Sequence, residues 1–208
     1  MGKTGSRILL AALGMLASGW VQAQISFGIV PATLYWQETS QWCWAASGQT
    51  MMNYVGPKDV PQCYEANQAS GRNDCCNCPT PAACVFPGWP QFDTWGYKFK
   101  ETAWGTALSW NQLVGEINAK RPVWFAWAWN GGGGHAMVAK GYFEIHLLSI
   151  NQRMVLVANP WPPQGRCDAG NAGGPFGGNF EWRAYDEYVG GPAYDHTHMV
   201  DIYQVARK

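Results

Sequence analysis

Three residues in this chain stand out for the chemistry they could do: a cysteine, a histidine and an asparagine, in that order. Cys43 lies in the run Gln37-Glu-Thr-Ser-Gln-Trp-Cys43-Trp-Ala-Ala-Ser, where the pattern predicts the start of a helix. A thiol attacks as its thiolate, and a free cysteine has a pKa of roughly 8.5. The positive end of a helix and a nearby imidazolium both favour the charged form, so a first-turn cysteine is a physical route to a nucleophile. His135 follows four glycines and opens the apolar stretch Ala-Met-Val-Ala. It is suited to take the thiol proton and later deliver it to a leaving amine. Asn159 ends another apolar stretch just before a proline. Its carboxamide can accept the imidazole N–H and fix the ring, and Trp161, two residues on, can cover that bond. Acyl transfer passes through an oxyanion that needs preorganised donors. The Cys43 backbone N–H is one; a side-chain amide from Gln37, six residues upstream, or from the nearer Gln41 is the other.

Each residue has a plainer role open to it. Cys43 would be a disulfide cysteine between core tryptophans, His135 a loop residue capping a strand, and Asn159 an Asn-Pro turn. Cysteine arithmetic bears on the first. Seven cysteines occur, at 43, 63, 75, 76, 78, 84 and 167. The first residues read as an export signal: Lys3 and Arg7, an apolar run at 8–17, then Val21-Gln22-Ala23, with cleavage expected after Ala23. The apolar run is shorter than the roughly 20 residues that span a membrane, so no stable membrane anchor is expected. Cysteines of exported chains are usually paired, and an odd count leaves one free. With Cys43 free, Cys63, Cys75, Cys76, Cys78, Cys84 and Cys167 are expected in disulfides, the adjacent Cys75 and Cys76 with different partners. A zinc site in Cys75-Cys76-Asn-Cys78 is the competing reading. His196 and His198 share one face of a strand and are a weaker metal candidate for want of a third ligand nearby in sequence. No cofactor is expected.

Fourteen basic and fourteen acidic residues cancel, which forecasts no footprint for nucleic acid or anionic lipid. Thirteen Trp and 25 Gly point to a loop-rich protein with an aromatic core or cleft. Residues 24–208 are expected to form a single domain. Segment 24–36 reads as an extended lead-in. A helix is predicted from Trp42 or Cys43 to Gly56, with Ser40 as a possible N-cap, and a second over 60–69 with Pro61 in its first turn. An irregular Cys-, Pro- and Gly-rich segment fills 71–90. A third helix is predicted over 110–120, capped by Ser109 and carrying a Glu116–Lys120 pair. Strands are predicted over 122–129, 135–145, 153–158 and 196–205, with a Gly-rich excursion at 165–191. Helices before strands argue an α+β class.

With these residues in view, the chain resembles the papain-like cysteine peptidases, most nearly the compact bacterial peptidase C39-like and AvrRpt2-like groups. The likeness covers most of 35–161 and rests on the Gln37–Cys43 spacing, the Trp-Cys-Trp-Ala-Ala opening of the helix, Gly-Gly-His135-Ala-Met-Val and Asn159-Pro-Trp161. It implies an α+β papain-like fold, with a nucleophile helix in an N-terminal helical lobe packed on a C-terminal antiparallel sheet. It implies Cys43 as nucleophile, His135 as base, Asn159 as orienting residue, and Gln37 rather than Gln41 in the oxyanion hole. The Cys–His and Cys–Asn separations are shorter than the roughly 130–150 residues of papain and cathepsins. The usual Cys-Gly-Ser-Cys-Trp context is replaced by Ser-Gln-Trp-Cys-Trp.

The expectation is therefore a secreted or periplasmic thiol hydrolase that cleaves a peptide or protein substrate through an acyl-enzyme. No inhibitory propeptide fits between the signal and Gln37, so a separate inhibitor or chaperone is the expected restraint. Two alternatives remain: a cell-wall peptide amidase or endopeptidase with the same triad, and a non-catalytic, disulfide-stapled binding module in which Cys43 is unreactive or paired.

Overall fold

The computed structural model of the protein describes residues 24–56, 59–163 and 177–208. In chain order its elements are β1 (Gln24–Ile29), α1 (Cys43–Val55), α2 (Gln62–Ser70), a 3-10 turn (Ala82–Cys84), β2 (Tyr97–Glu101), α3 (Trp110–Asn118), β3 (Val123–Trp129), β4 (Gly134–Leu147), β5 (Ile150–Asn159), β6 (Asn179–Ala184), α4 (Tyr185–Val189) and β7 (His196–Arg207). The strands form one sheet in the order β2-β7-β3-β4-β5-β6, with every neighbouring pair antiparallel. β1 pairs with β4 over Gly141 to His146, beyond the point where β3 stops at Ala139. The expected α+β class holds, with N-terminal helices packed on an antiparallel sheet as in papain-like folds.

The apolar run of β3 explains why the sheet is covered on both faces. Side chains alternate along a strand, so an unbroken apolar run needs two cores. Trp124 and Ala126 join a cluster with Trp42, Trp44 and Met52 of the α1 side. Val123, Phe125 and Trp127 join a second cluster with Leu113 and Ile117 of α3 and Tyr188 of α4. Helix α1 is the central element: every residue from Trp44 to Met52 is buried. A helix apolar or small all round belongs inside, and this one is wrapped by sheet, α2 and the cystine segment.

Among the described residues, Cys63 is bonded to Cys76 and Cys75 to Cys84, so the adjacent pair does take different partners. Cys78 is also disulfide-bonded. The zinc reading has no thiolates left to it: Asp74, Cys75 and Cys84 lie close together, but the two sulfurs are joined to each other. Cys167, the export signal and much of the Gly-rich excursion lie outside the described residues.

Several local expectations need correction. The N-cap of α1 is Trp42, with no side-chain cap, rather than Ser40. Glu116 pairs with Arg121 at 2.6 Å, not with Lys120. Lys120 takes a positive φ at the end of α3, which turns its side chain off the helical path. The lead-in is extended as expected and over 24–29 pairs with β4, whereas β2 carries no strong sequence signal. The later part of the excursion forms β6 and α4, because Phe180 and Trp182 alternate with Glu181 and Arg183 on a strand partnered by β5. His196 and His198 are buried. Both ring nitrogens of each meet protein acceptors, including the Glu187 and Tyr188 carbonyls of α4, so they pin that helix and present no vacant ligand position.

Candidate active site

The site is assembled where the start of α1 meets the start of β4 and the end of β5. Cys43 is the first residue of α1 and, among the described residues, the free cysteine. Its two tryptophan neighbours hold the helix end in place. Trp42 Nε1–H donates to the Cys84 carbonyl at 2.7 Å, and Trp44 Nε1–H to that of Phe86 at 3.2 Å. Both acceptors sit in the cystine segment, so the disulfides brace the start of α1 through a pair of indoles. One turn on, the Ser47 hydroxyl donates to the Ala136 carbonyl at 3.1 Å. Residues four apart share a helix face, so this bond brings the Cys43 face against the strand carrying His135.

His135 is the second residue of β4, opposite Trp127 on β3. The glycines before it are needed for geometry. Gly132 and Gly133 take φ of 95° and 80°, and a Cβ on Gly134 would sit 2.5 Å from the Trp127 carbonyl oxygen. Trp129 stacks over the ring, with centroids 6.5 Å apart and planes 16° from parallel.

Asn159 is the last residue of β5. His135 Nε2–H donates to Asn159 Oδ1 at 2.7 Å, and the Trp161 backbone N–H donates to the same oxygen at 3.0 Å. The Asn159 Nδ2 donates to Glu181 Oε1 at 2.6 Å. With Nε2 committed, Nδ1 is the imidazole nitrogen left for proton exchange. The Trp161 side chain lines the cleft and is half exposed.

Gln37 is buried, and its segment is stitched to the helices. The Tyr35 N–H donates to Thr50 of α1 and the Glu38 N–H to Gln62 of α2, while the Gln37 N–H reaches the Pro160 carbonyl at 3.0 Å. One amide hydrogen of Gln37 goes to the Thr39 carbonyl at 2.8 Å, which leaves the other available. Gln41 is exposed on the same cleft. Gln37, Cys43, His135, Asn159 and Trp161 all line one cavity of about 540 Å³. A second cavity of about 440 Å³ shares Cys43 and His135 and runs between Trp89, Trp104, Trp124 and Met199.

Burial works against the charged form of each partner. Burial pushes the Cys43 thiol up, opposed by the backbone N–H groups of Ala136, Trp44 and Cys43 itself. Burial also pushes the His135 imidazole down, opposed by its bond to Asn159 and by the charge of Glu181, with Arg183 adding to the depression. A thiol and an imidazole whose charged forms burial disfavours, with amide donors at a helix N-terminus, can exchange a proton as the sulfur attacks an acyl carbon.

Sequence reasoning missed Trp129 and Glu181. The strand reading placed Trp129 next to the glycine turn without indicating its stacking. Glu181 had no local motif to mark it.

No curated protein shows significant similarity to the chain. A family model described as papain-like cysteine protease AvrRpt2 matches residues 29–145, more than half of the chain, and spans Gln37, Cys43 and His135. The chain therefore belongs to the papain-like cysteine protease AvrRpt2 family and is, by that membership, a cysteine peptidase.

Proposed function

We propose that the protein is an exported peptidase working through a Cys43–His135–Asn159 triad and an acyl-enzyme. His135 Nδ1 takes the thiol proton as Cys43 Sγ bonds to the peptide carbonyl carbon and the carbonyl π pair moves to oxygen. The second amide hydrogen of Gln37 and the Cys43 N–H stabilise that oxyanion. The oxyanion collapses, the C–N bond breaks, and His135 gives its proton to the departing amine. His135 then takes a proton from water, whose oxygen attacks the thioester, and Cys43 leaves and is reprotonated. The observation that carries this reading is the 2.7 Å His135–Asn159 bond in the same cleft as a free cysteine at a helix start. Disulfides at Cys63–Cys76 and Cys75–Cys84 support an oxidising compartment, and with it removal of the first 23 residues on export. The cavity between Trp89, Trp104, Trp124 and Met199 suits an apolar substrate side chain next to the bond that is cut.

The test is labelling of the unreduced protein with an epoxysuccinyl thiol inhibitor and mapping of the adduct by mass, alongside hydrolysis of casein and of peptidoglycan peptides. A single adduct on Cys43, absent in His135→Ala, with casein cleaved, is the expected result. Peptidoglycan peptides released and casein untouched would move the substrate to the cell wall. No adduct on a free Cys43, together with no hydrolysis of either, would sink the catalytic reading.

A further inference from the structure

Behind the triad lies a carboxylate that the reaction as written does not use. Glu181 is on β6, paired with Val157, two register positions from the Asn159–Asn179 pair and so on the same face of the sheet. Its side chain is 17% exposed, and its two oxygens are both engaged. Oε1 accepts from Asn159 Nδ2 at 2.6 Å, and Oε2 takes the Arg183 guanidinium, whose other nitrogen reaches Glu187 of α4 at 2.7 Å. The chain of contacts runs His135, Asn159, Glu181, Arg183, Glu187.

A carboxamide is nearly symmetric in shape, so only its partners decide which end faces the histidine. An ionised carboxylate accepts and never donates, so Glu181 can bond only the NH₂ end of Asn159. The oxygen end is then turned to two donors, His135 Nε2–H and the Trp161 N–H. Rotating the amide by half a turn would set oxygen against carboxylate and NH₂ against two N–H groups. The amide orientation in turn fixes the imidazole tautomer: hydrogen on Nε2, lone pair on Nδ1 facing the cleft. A neutral asparagine also brings no charge to balance an imidazolium. The charges that act on His135 are Glu181, which favours the imidazolium, and Arg183, which opposes it.

We propose that Glu181 is a positioning residue of this site, acting through Asn159: it orients the amide, selects the Nε2–H tautomer of His135, and supplies the negative charge that asparagine lacks. This rests on the triad reading above.

The test compares Glu181→Ala, Glu181→Gln, Asn159→Ala and the Glu181→Ala/Asn159→Ala pair in the full disulfide-bonded protein. Glu181→Ala is expected to lower kcat/KM roughly 10- to 100-fold, the size seen when a supporting hydrogen-bond partner is lost, with the fall in kcat rather than KM. The double variant should be no slower than Asn159→Ala alone, because both changes act through one contact. Glu181→Gln keeps an acceptor oxygen and should recover most of the rate. Its acid limb should move to lower pH, since the charge favouring the imidazolium is gone. Glu181→Ala within about twofold of the parent, or effects that multiply in the double variant, would overturn the proposal. A second readout needs no turnover. In Cys43→Ala, ¹⁵N NMR of His135 should show the Nε2–H tautomer, and removal of Glu181 should give a mixture; an unchanged tautomer would also overturn it. If Cys43→Ala still hydrolysed peptides, the catalytic reading would fail, while the tautomer would still decide on Glu181.

Discussion

Cys43 begins α1 beside the N–H groups of the helix start, yet burial raises its thiol and lowers the imidazole of His135. The helix end alone would favour a thiolate–imidazolium pair; desolvation of both groups opposes it. A raised thiol stays protonated through neutral pH, and a lowered imidazole stays neutral there. Iodoacetamide alkylation of Cys43 should therefore climb with pH through and above the ordinary thiol range of about 8.5, with no acid shoulder. The check is the alkylation rate followed from about pH 4 to 10, with His135→Ala keeping the same shape. A plateau at acid pH, lost in His135→Ala, would show a preformed ion pair instead. The candidate residues were legible because each stands in a short run of its own: glutamine six before cysteine, glycines before histidine, asparagine before proline. Glu181 was not legible, because its meaning lies in one contact across two strands.

At the scale of elements, the β3–β4 connection and the α1–α2 contact each hang on a single fit. Gly134 has no room for a Cβ, because the Trp127 carbonyl oxygen would lie 2.5 Å away and backbone cannot move aside. Gly134→Ala is expected to cost about 1–3 kcal/mol in denaturant unfolding and to displace the neighbouring His135, lowering kcat more than its stability loss accounts for. Unchanged stability and turnover would contradict this fit. Glu65 of α2 is fully buried against Gly48 of α1, with Oε1 unpartnered among the described residues and Oε2 accepting the Gln91 N–H at 3.2 Å. Burial holds its carboxyl well above the ordinary glutamate range. The folded chain then binds a proton that the unfolded chain releases. This contribution to stability is complete below about pH 4.3 and is lost as pH rises toward the elevated folded value. Glu65→Gln should remove that dependence and raise stability at neutral pH, read from melting temperature against pH. Parallel curves for parent and variant would rule out this role for Glu65. The helix and strand periods were legible from apolar spacing, and the Ser109 cap forms as a capping box with Gln112. β2, β6 and α4 were obscured, because their partners, β7, β5 and the far face of the sheet, are remote in sequence.

Over the whole molecule, the cystine segment and α1 form one brace. The Cys75–Cys84 bond closes a short loop whose Cys84 carbonyl receives the Trp42 indole next to Cys43. Cys75→Ser with Cys84→Ser should lower stability by about 2–4 kcal/mol and slow peptide cleavage through the loosened helix start. Melting and turnover unchanged in that variant would mean the segment braces nothing. The amino-acid sequence by itself determined what depends on local chemistry and count: an odd cysteine, a glycine turn ahead of a histidine, and apolar runs of strand and helix period. Those features named the four candidate residues and the α+β class. What only the tertiary structure decided is what depends on residues far apart in the chain. It set the two-faced burial that seats α3 and α4 opposite α1. It paired the described disulfide partners. It surrounded Cys43 and His135 with enough protein to push the thiol up and the imidazole down, and it set Glu181 behind Asn159. Desolvation and hydrogen-bond direction come from packing in three dimensions, and no spacing along the chain records them.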